Sequence, residues 1–66
     1  MKYYTVSFEY AEGIFCTNIA HASSAEAVEA RYRAKYGGWV SVRDCPDWEL
    51  DTARCKGMPF VKITPA

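Results

Sequence analysis

Residues 23–38 read SSAEAVEARYRAKYGG, and both ends of a helix are recognisable in this stretch. We predict that Ser23 is the N-cap and that Glu26 reaches back to it, because a capping box of this kind satisfies two backbone N–H groups of the first turn. The helix is predicted to end at Tyr36, since Gly37 can adopt the left-handed conformation that terminates helices at little cost. A capped helix with strand-like segments on both sides predicts an α+β domain.

One side of this helix has the spacing of a packing surface. Residues three and four positions apart lie on the same side of an α-helix. We expect the apolar stripe with this spacing to pack on a sheet. The opposite side is small and rich in alanine, which indicates either ordinary solvent-exposed surface or a flat site for another helix. The stripe consists of Ala25, Val28, Tyr32 and Tyr36.

The residues before the helix predict a β-hairpin. Side chains alternate between apolar and polar along residues 2–10, and they alternate again along residues 14–22. Such alternation is typical of a strand with one buried face. Residues 11–13, with the sequence Ala-Glu-Gly, supply the turn between the two strands.

Two registers of this hairpin are compatible with the sequence. A loop with an even number of residues would place Phe15 on the same apolar face as Val6 and Phe8, and we prefer this register because it gathers the large apolar side chains. A three-residue loop with a glycine bulge would instead place Val6 opposite Asn18 and Phe8 opposite Cys16. The Ala-Glu-Gly turn suits this second register equally well.

The residues after the helix predict a strand, a second helix and a last strand. Residues 39–44 predict a short third strand, and residues 60–64 predict a fourth. Between them, Asp44-Cys45-Pro46-Asp47 is predicted to be the entry of a shorter helix that runs to about Lys56, because proline is tolerated in a first turn. Its end is indicated by Gly57, which favours a left-handed C-cap.

The whole chain, residues 1–66, predicts one small two-layer domain of the α+β class. The element order is ββαβαβ, with a mainly antiparallel sheet, one capped main helix and a shorter second helix. A chain of this length buries only about 60% of the surface that its unfolded form exposes. Few large apolar side chains can therefore be spared from the core.

The charge and hydropathy patterns exclude several classes of partner. Eight basic residues balance eight acidic ones, so no overall field attracts the protein to nucleic acid or to an anionic membrane. A net charge near zero also does little to oppose self-association, and a homodimer is a secondary expectation. We find neither a signal-peptide pattern nor an apolar segment of the roughly 20 residues that a membrane span needs, which predicts a cytoplasmic protein.

The cysteines and the single histidine predict neither a metal site nor a catalytic site. Structural zinc sites usually draw their ligands from closely spaced pairs, whereas these residues are scattered. Cys45 lies at the start of the second helix, where a thiolate is favoured, but neighbouring carboxylates oppose it. We therefore predict no enzyme activity, no metal and no cofactor, and reduced thiols in all three cysteines. The four residues considered are Cys16, His21, Cys45 and Cys55.

The aromatic residues are the main functional candidates. Five tyrosines, three phenylalanines and two tryptophans exceed what a small two-layer core requires, so some must lie on the surface. We predict an interaction surface at Tyr3, Trp39 and Trp48. The second helix has two competing apolar sides, and whichever faces outward would contribute to a patch of the kind found in protein contacts. One side carries Trp48, Thr52 and Cys55, and the other carries Leu50, Ala53 and Gly57.

These observations favour a small protein-interaction or regulatory module without catalytic activity, acting on a protein partner or on a second copy. The alternative is a single-stranded nucleic-acid binder, in which sheet aromatics beside basic residues stack on bases. A more remote alternative is a thiol- or zinc-dependent protein. We recognise no family motif in the chain. The residues for the nucleic-acid alternative are Lys2, Tyr3, Arg43, Phe60 and Lys62.

Overall fold

The computed structural model describes residues 1–63, and the end of the predicted last strand at Thr64 lies outside them. The described residues form four strands and two helices. The α+β class and the ββαβαβ order predicted from the sequence are confirmed. The elements are β1 (Lys2–Ala11), β2 (Ile14–Ala22), α1 (Ala25–Tyr36), β3 (Val40–Asp44), α2 (Asp47–Lys56) and β4 (Phe60–Lys62).

The strands form one mixed sheet with the order β3-β1-β2-β4. β1 is antiparallel to both of its neighbours, whereas β4 pairs parallel to β2. The first two strands in the sequence are therefore the central strands of the sheet. α1 and the sheet form the two main layers, and α2 packs on the opposite face of the sheet. We call the two sides the α1 face, which carries the even-numbered residues of β1 and β2, and the α2 face, which carries the odd-numbered ones.

The hairpin register differs from the preferred sequence prediction. Val6 lies opposite Asn18 and Phe8 lies opposite Cys16, as in the alternative with a glycine bulge. The register shifts between Glu9 and Ala11, and Gly13 has a φ of 76°, which only glycine adopts without strain. The preferred even-loop register was therefore wrong.

The core on the α1 face explains why this register is stable. Tyr4, Phe8 and Tyr32 are large and buried, and β2 contributes the small, fully buried Ala20 and Ala22 to the same cluster. Two bulky layers would overfill the space between the sheet and α1. The small residues of β2 therefore belong on this face, and its larger residues point the other way.

The predicted stripe of α1 packs on the sheet. Val28 and Tyr32 are buried, and Ala25 and Tyr36 pack against the same cluster. Asn18 Nδ2 donates to Tyr32 Oη at 2.9 Å, which gives the hydroxyl of the buried tyrosine a partner. Burial raises the pKa of the Tyr32 phenol above its ordinary value, although the hydrogen bond from Asn18 acts in the opposite direction.

The ends of the helices agree with the sequence except for one residue. The N-cap of α1 is Ser24 and not Ser23: Ser24 has an extended backbone, and its Oγ accepts from Ala27 N at 3.2 Å. The predicted capping box therefore fails, because Glu26 lies one position too early to occupy its place. Gly37 ends α1 and Gly57 ends α2, both in the left-handed conformation.

The core on the α2 face is smaller. Ile19, Leu50 and Ala53 form a buried cluster, with Tyr3 and Met58 packed against it. Of the two apolar sides of α2, the one with Leu50 and Ala53 therefore faces the sheet. Within residues 1–63, neither helix is long and apolar enough to cross a membrane.

Candidate interaction groove

α2 covers only part of its face of the sheet and leaves an open groove. The uncovered part lies toward the hairpin turn, where β1, β2 and the segment before β3 meet. The groove has a volume of about 680 Å³ and is broad and shallow. We call it the aromatic groove, and the residues that line it are Ser7, Glu9, Phe15, Cys16, Thr17 and Trp39.

Phe15 and Trp39 form one wall of the aromatic groove. Their rings meet edge to face, with centroids 5.7 Å apart and planes inclined by 80°. Phe15 is 60% exposed and Trp39 is 54% exposed. Since the two residues lie on opposite sides of β1, the side chain of Trp39 must lean inward over the sheet to reach Phe15.

The floor of the aromatic groove is polar. Ser7 Oγ and Thr17 Oγ1 are 3.3 Å apart across the hairpin, so one donates to the other. At the wall, Glu9 Oε2 accepts from Gly13 N at 3.1 Å. A Cβ at Gly38 would lie 2.9 Å from Glu9 Oε1, so a side chain there would displace the carboxylate from its present position.

The groove continues toward α2. Thr17 lines both the aromatic groove and a smaller depression that Trp48 and Thr52 also line. Trp48 is 69% exposed and adds a third aromatic surface on this side. The whole feature therefore has aromatic side chains at both margins and hydroxyl groups between them.

An ionic contact fixes α2 beside the groove. Glu49 accepts hydrogen bonds from the Thr5 hydroxyl and from Arg43 Nη1, the latter at 2.7 Å. Its side chain is only 15% exposed. The Arg43 guanidinium, together with the Thr5 hydroxyl, lowers the pKa of the Glu49 carboxyl below its ordinary value. α2 is thereby tied to β1 and to β3.

Two of the three residues predicted for the interaction surface border the groove. Trp39 and Trp48 are exposed there, whereas Tyr3 lies deeper on the same face of the sheet. The Tyr3 ring stacks on His21 with centroids 4.4 Å apart, and Phe60 meets its edge at 6.4 Å. Tyr3 thus packs with the small core under α2. An interaction through all three residues stays a prediction.

Of the residues of the nucleic-acid alternative, the structure brings the rings of Tyr3 and Phe60 together and separates the basic side chains. Arg43 lies on β3 at one edge of the sheet and is paired with Glu49, whereas Phe60 and Lys62 lie on β4 at the other edge. Lys2 pairs with Asp44 at 3.6 Å. These side chains do not form one continuous basic and aromatic platform.

The cysteines and the histidine are also dispersed. Cys16 packs against the core on the α1 face, Cys45 packs beside the small core on the α2 face, and Cys55 is exposed on α2. His21 is occupied by its stacking contact with Tyr3. Among residues 1–63, no three His, Cys, Asp or Glu side chains are grouped so that they could hold a metal ion.

Phe15 is the groove residue that the sequence prediction missed. The preferred register assigned it to the buried face, and the observed register turns it outward. Gly13 was the available signal, because glycine as the last residue of a three-residue loop indicates a bulge that changes the face of every following residue.

The chain matches no protein-family model, no curated protein and no solved structure with which it was compared.

Proposed function

We propose that this protein is a non-catalytic interaction module that binds an extended segment of another protein in the aromatic groove. The observation that carries the proposal is the joint exposure of Phe15 and Trp39, which are 60% and 54% exposed although they contact each other. Small domains normally bury such side chains, and exposed aromatic clusters are characteristic of protein-binding surfaces.

The shape and chemistry of the groove support a peptide segment as its ligand. The hydroxyl groups of Ser7 and Thr17 can exchange hydrogen bonds with a peptide backbone, and the aromatic rings at the margins can pack on apolar side chains. The carboxylate of Glu9, at the wall, favours a ligand without acidic groups at that position. Reversible binding of such a peptide segment in this groove would give the protein a regulatory role. We place this activity in the cytoplasm, a proposal supported by the three free cysteines.

A peptide selection tests the proposal. Peptides selected from a phage-displayed random library on the immobilised protein are synthesised and titrated against it, with isothermal titration calorimetry as the readout. Phe15→Ser and Trp39→Ser are expected to weaken binding at least about tenfold, because each removes an anchor from the groove wall. Both side chains are largely exposed, so the fold should be retained.

Tyr10→Ser is the matched control. Tyr10 is 60% exposed, like Phe15, but it packs beside Tyr36 on the α1 face, outside the groove. Peptides that bind the Phe15→Ser and Trp39→Ser variants as tightly as the wild type would contradict the proposal. Binding of single-stranded oligonucleotides at low salt, with no dependence on Phe15, would favour the nucleic-acid alternative.

A further inference from the structure

β3 is an edge strand with an open row of backbone hydrogen-bonding groups. Glu9 N donates to Trp39 O, and Cys45 N donates to Tyr3 O. These bonds show that the odd-numbered residues of this segment direct their N–H and C=O groups toward β1. In an antiparallel pair the alternate residues direct theirs away. Within residues 1–63 no strand pairs with the outer side of β3, so its outward groups belong to Val40, Val42 and Asp44.

The usual devices that protect an edge strand are weak here. Natural edges are guarded by prolines, bulges or charges that project from the strand. β3 contains no proline, and its pairing with β1 is regular from Val40 to Asp44. Its two charged side chains, Arg43 and Asp44, are paired within the chain with Glu49 and Lys2. The edge is therefore available for a further strand.

One flank of α1 lies toward this edge of the sheet, and the positions of the charged residues of the helix identify it. The helix packs over β1 and β3. Arg31 and Lys35 lie on the flank toward β2 and β4, where they line a small pocket with Asn18 and Val61. The flank on the side of β3 is then the opposite one, with Glu26, Glu29 and Arg33. The side chains of Glu29 and Arg33 form an ion pair of 2.8 Å. Ala30 adds a small exposed residue next to this flank.

We propose that the chain forms a symmetric homodimer through β3, with the two β3 strands pairing antiparallel about Val42. A two-fold axis at Val42 places Val40 opposite Asp44 of the second copy, so the outward backbone groups of both strands satisfy each other. The two four-stranded sheets become one continuous sheet.

The same axis makes the α1 helices self-complementary. Each helix lies over β1 and β3, so with strands about 4.8 Å apart the two helix axes lie about 10 Å apart, which is the spacing of packed helices. The two helices run antiparallel. The flanks that carry Glu29 and Arg33 then face each other across the axis, and because each flank holds both charges, a carboxylate of one copy can pair with a guanidinium of the other. This complementarity is the reason for choosing a second copy as the partner.

Light scattering of the full chain tests the dimer. The wild type is expected at twice the chain mass of 7.5 kDa when measured at ~100 μM. Arg33→Glu makes the flank wholly acidic and Glu29→Arg makes it predominantly basic, so each variant alone is expected to dimerise roughly tenfold more weakly. An equimolar mixture of the two variants should recover the dimer, because the acidic flank of one variant then meets the basic flank of the other. Circular dichroism checks that both variants remain folded.

Three results would overturn the proposal: a monomeric wild type at ~100 μM, full dimerisation of each single variant, or a mixture that stays as weak as its components. The aromatic groove lies on the opposite face from α1, so the two proposals fail separately. Trp39→Ser should abolish peptide binding and leave the dimer intact, whereas Arg33→Glu should weaken the dimer and leave peptide binding unchanged.

Discussion

Glu49 is the residue whose chemistry connects three elements. It lies on α2, accepts from Thr5 on β1 and pairs with Arg43 on β3. Thr5 is buried, so its hydroxyl depends on this carboxylate for a partner. A buried hydroxyl left without a partner costs about 1–3 kcal/mol. Glu49 therefore positions α2 on the sheet and thereby sets the limit of the aromatic groove.

The stability of the protein should fall in acid through Glu49. The pKa of its carboxyl is lowered in the folded state, so the ionised carboxylate stabilises the fold at pH values above the ordinary pKa of 4.5. This stability is lost as the pH falls from there through the lowered pKa. We expect Glu49→Gln to reduce the free energy of unfolding by about 1–2 kcal/mol at neutral pH. The difference from the wild type should shrink as the solution is acidified.

Urea denaturation between neutral and acidic pH measures this effect. Glu12→Gln is the matched control, since Glu12 is an exposed carboxylate in the hairpin turn. The free energy of unfolding of this control variant should equal that of the wild type at every pH. A constant difference between Glu49→Gln and the wild type over the whole pH range would show that the ionisation of Glu49 does not support the fold.

At the scale of single elements, the helices were predictable and the hairpin register was not. Local signals such as Gly37 and Gly57 determine where a helix ends, because the left-handed backbone conformation is a property of one residue. The faces of β2 depend instead on a single loop residue, Gly13, and on the volume that α1 needs above Ala20. Phe15 therefore could not be assigned to the groove from alternation alone.

The two serines before α1 give a direct test of the N-cap. Only Ser24 accepts from Ala27 N, whereas Ser23 is exposed. Ser24→Ala should reduce the free energy of unfolding by about 1 kcal/mol, because an N–H group of the first turn loses its partner. Ser23→Ala should change it by less than about 0.5 kcal/mol. Thermal or urea unfolding checks both values, and equal effects of the two substitutions would contradict the assigned cap.

At the scale of the whole molecule, the strand order places the hairpin, whose two strands are adjacent in sequence, at the centre of the sheet. β1 and β2 are joined by a tight turn and are each paired on both sides, whereas β4 is a three-residue edge strand. The element order was predictable because each element carries its own signals. The strand order was not, since the side on which β3 and β4 join the hairpin depends on contacts distant in sequence.

Stability should accordingly differ between the centre and the β4 edge. The amides that join β1 to β2 are expected to exchange with solvent only through global unfolding. Ile63 N, which donates to His21 O, and Ile19 N, which donates to Pro59 O, should exchange faster through local opening of β4. Native-state hydrogen exchange measured by NMR distinguishes the two groups. Equal protection of both groups would mean that the sheet opens as one unit.

The central position of the hairpin also affects synthesis of the protein in the cell. A ribosome synthesises β1 and β2 before either flanking strand exists, and an isolated hairpin is marginally stable in water. The 40 residues that follow Ala22, up to Lys62, take roughly 2–8 s to translate. During this time the nascent chain has two unprotected sheet edges, and its final fold becomes stable only when β3 and then β4 cover them.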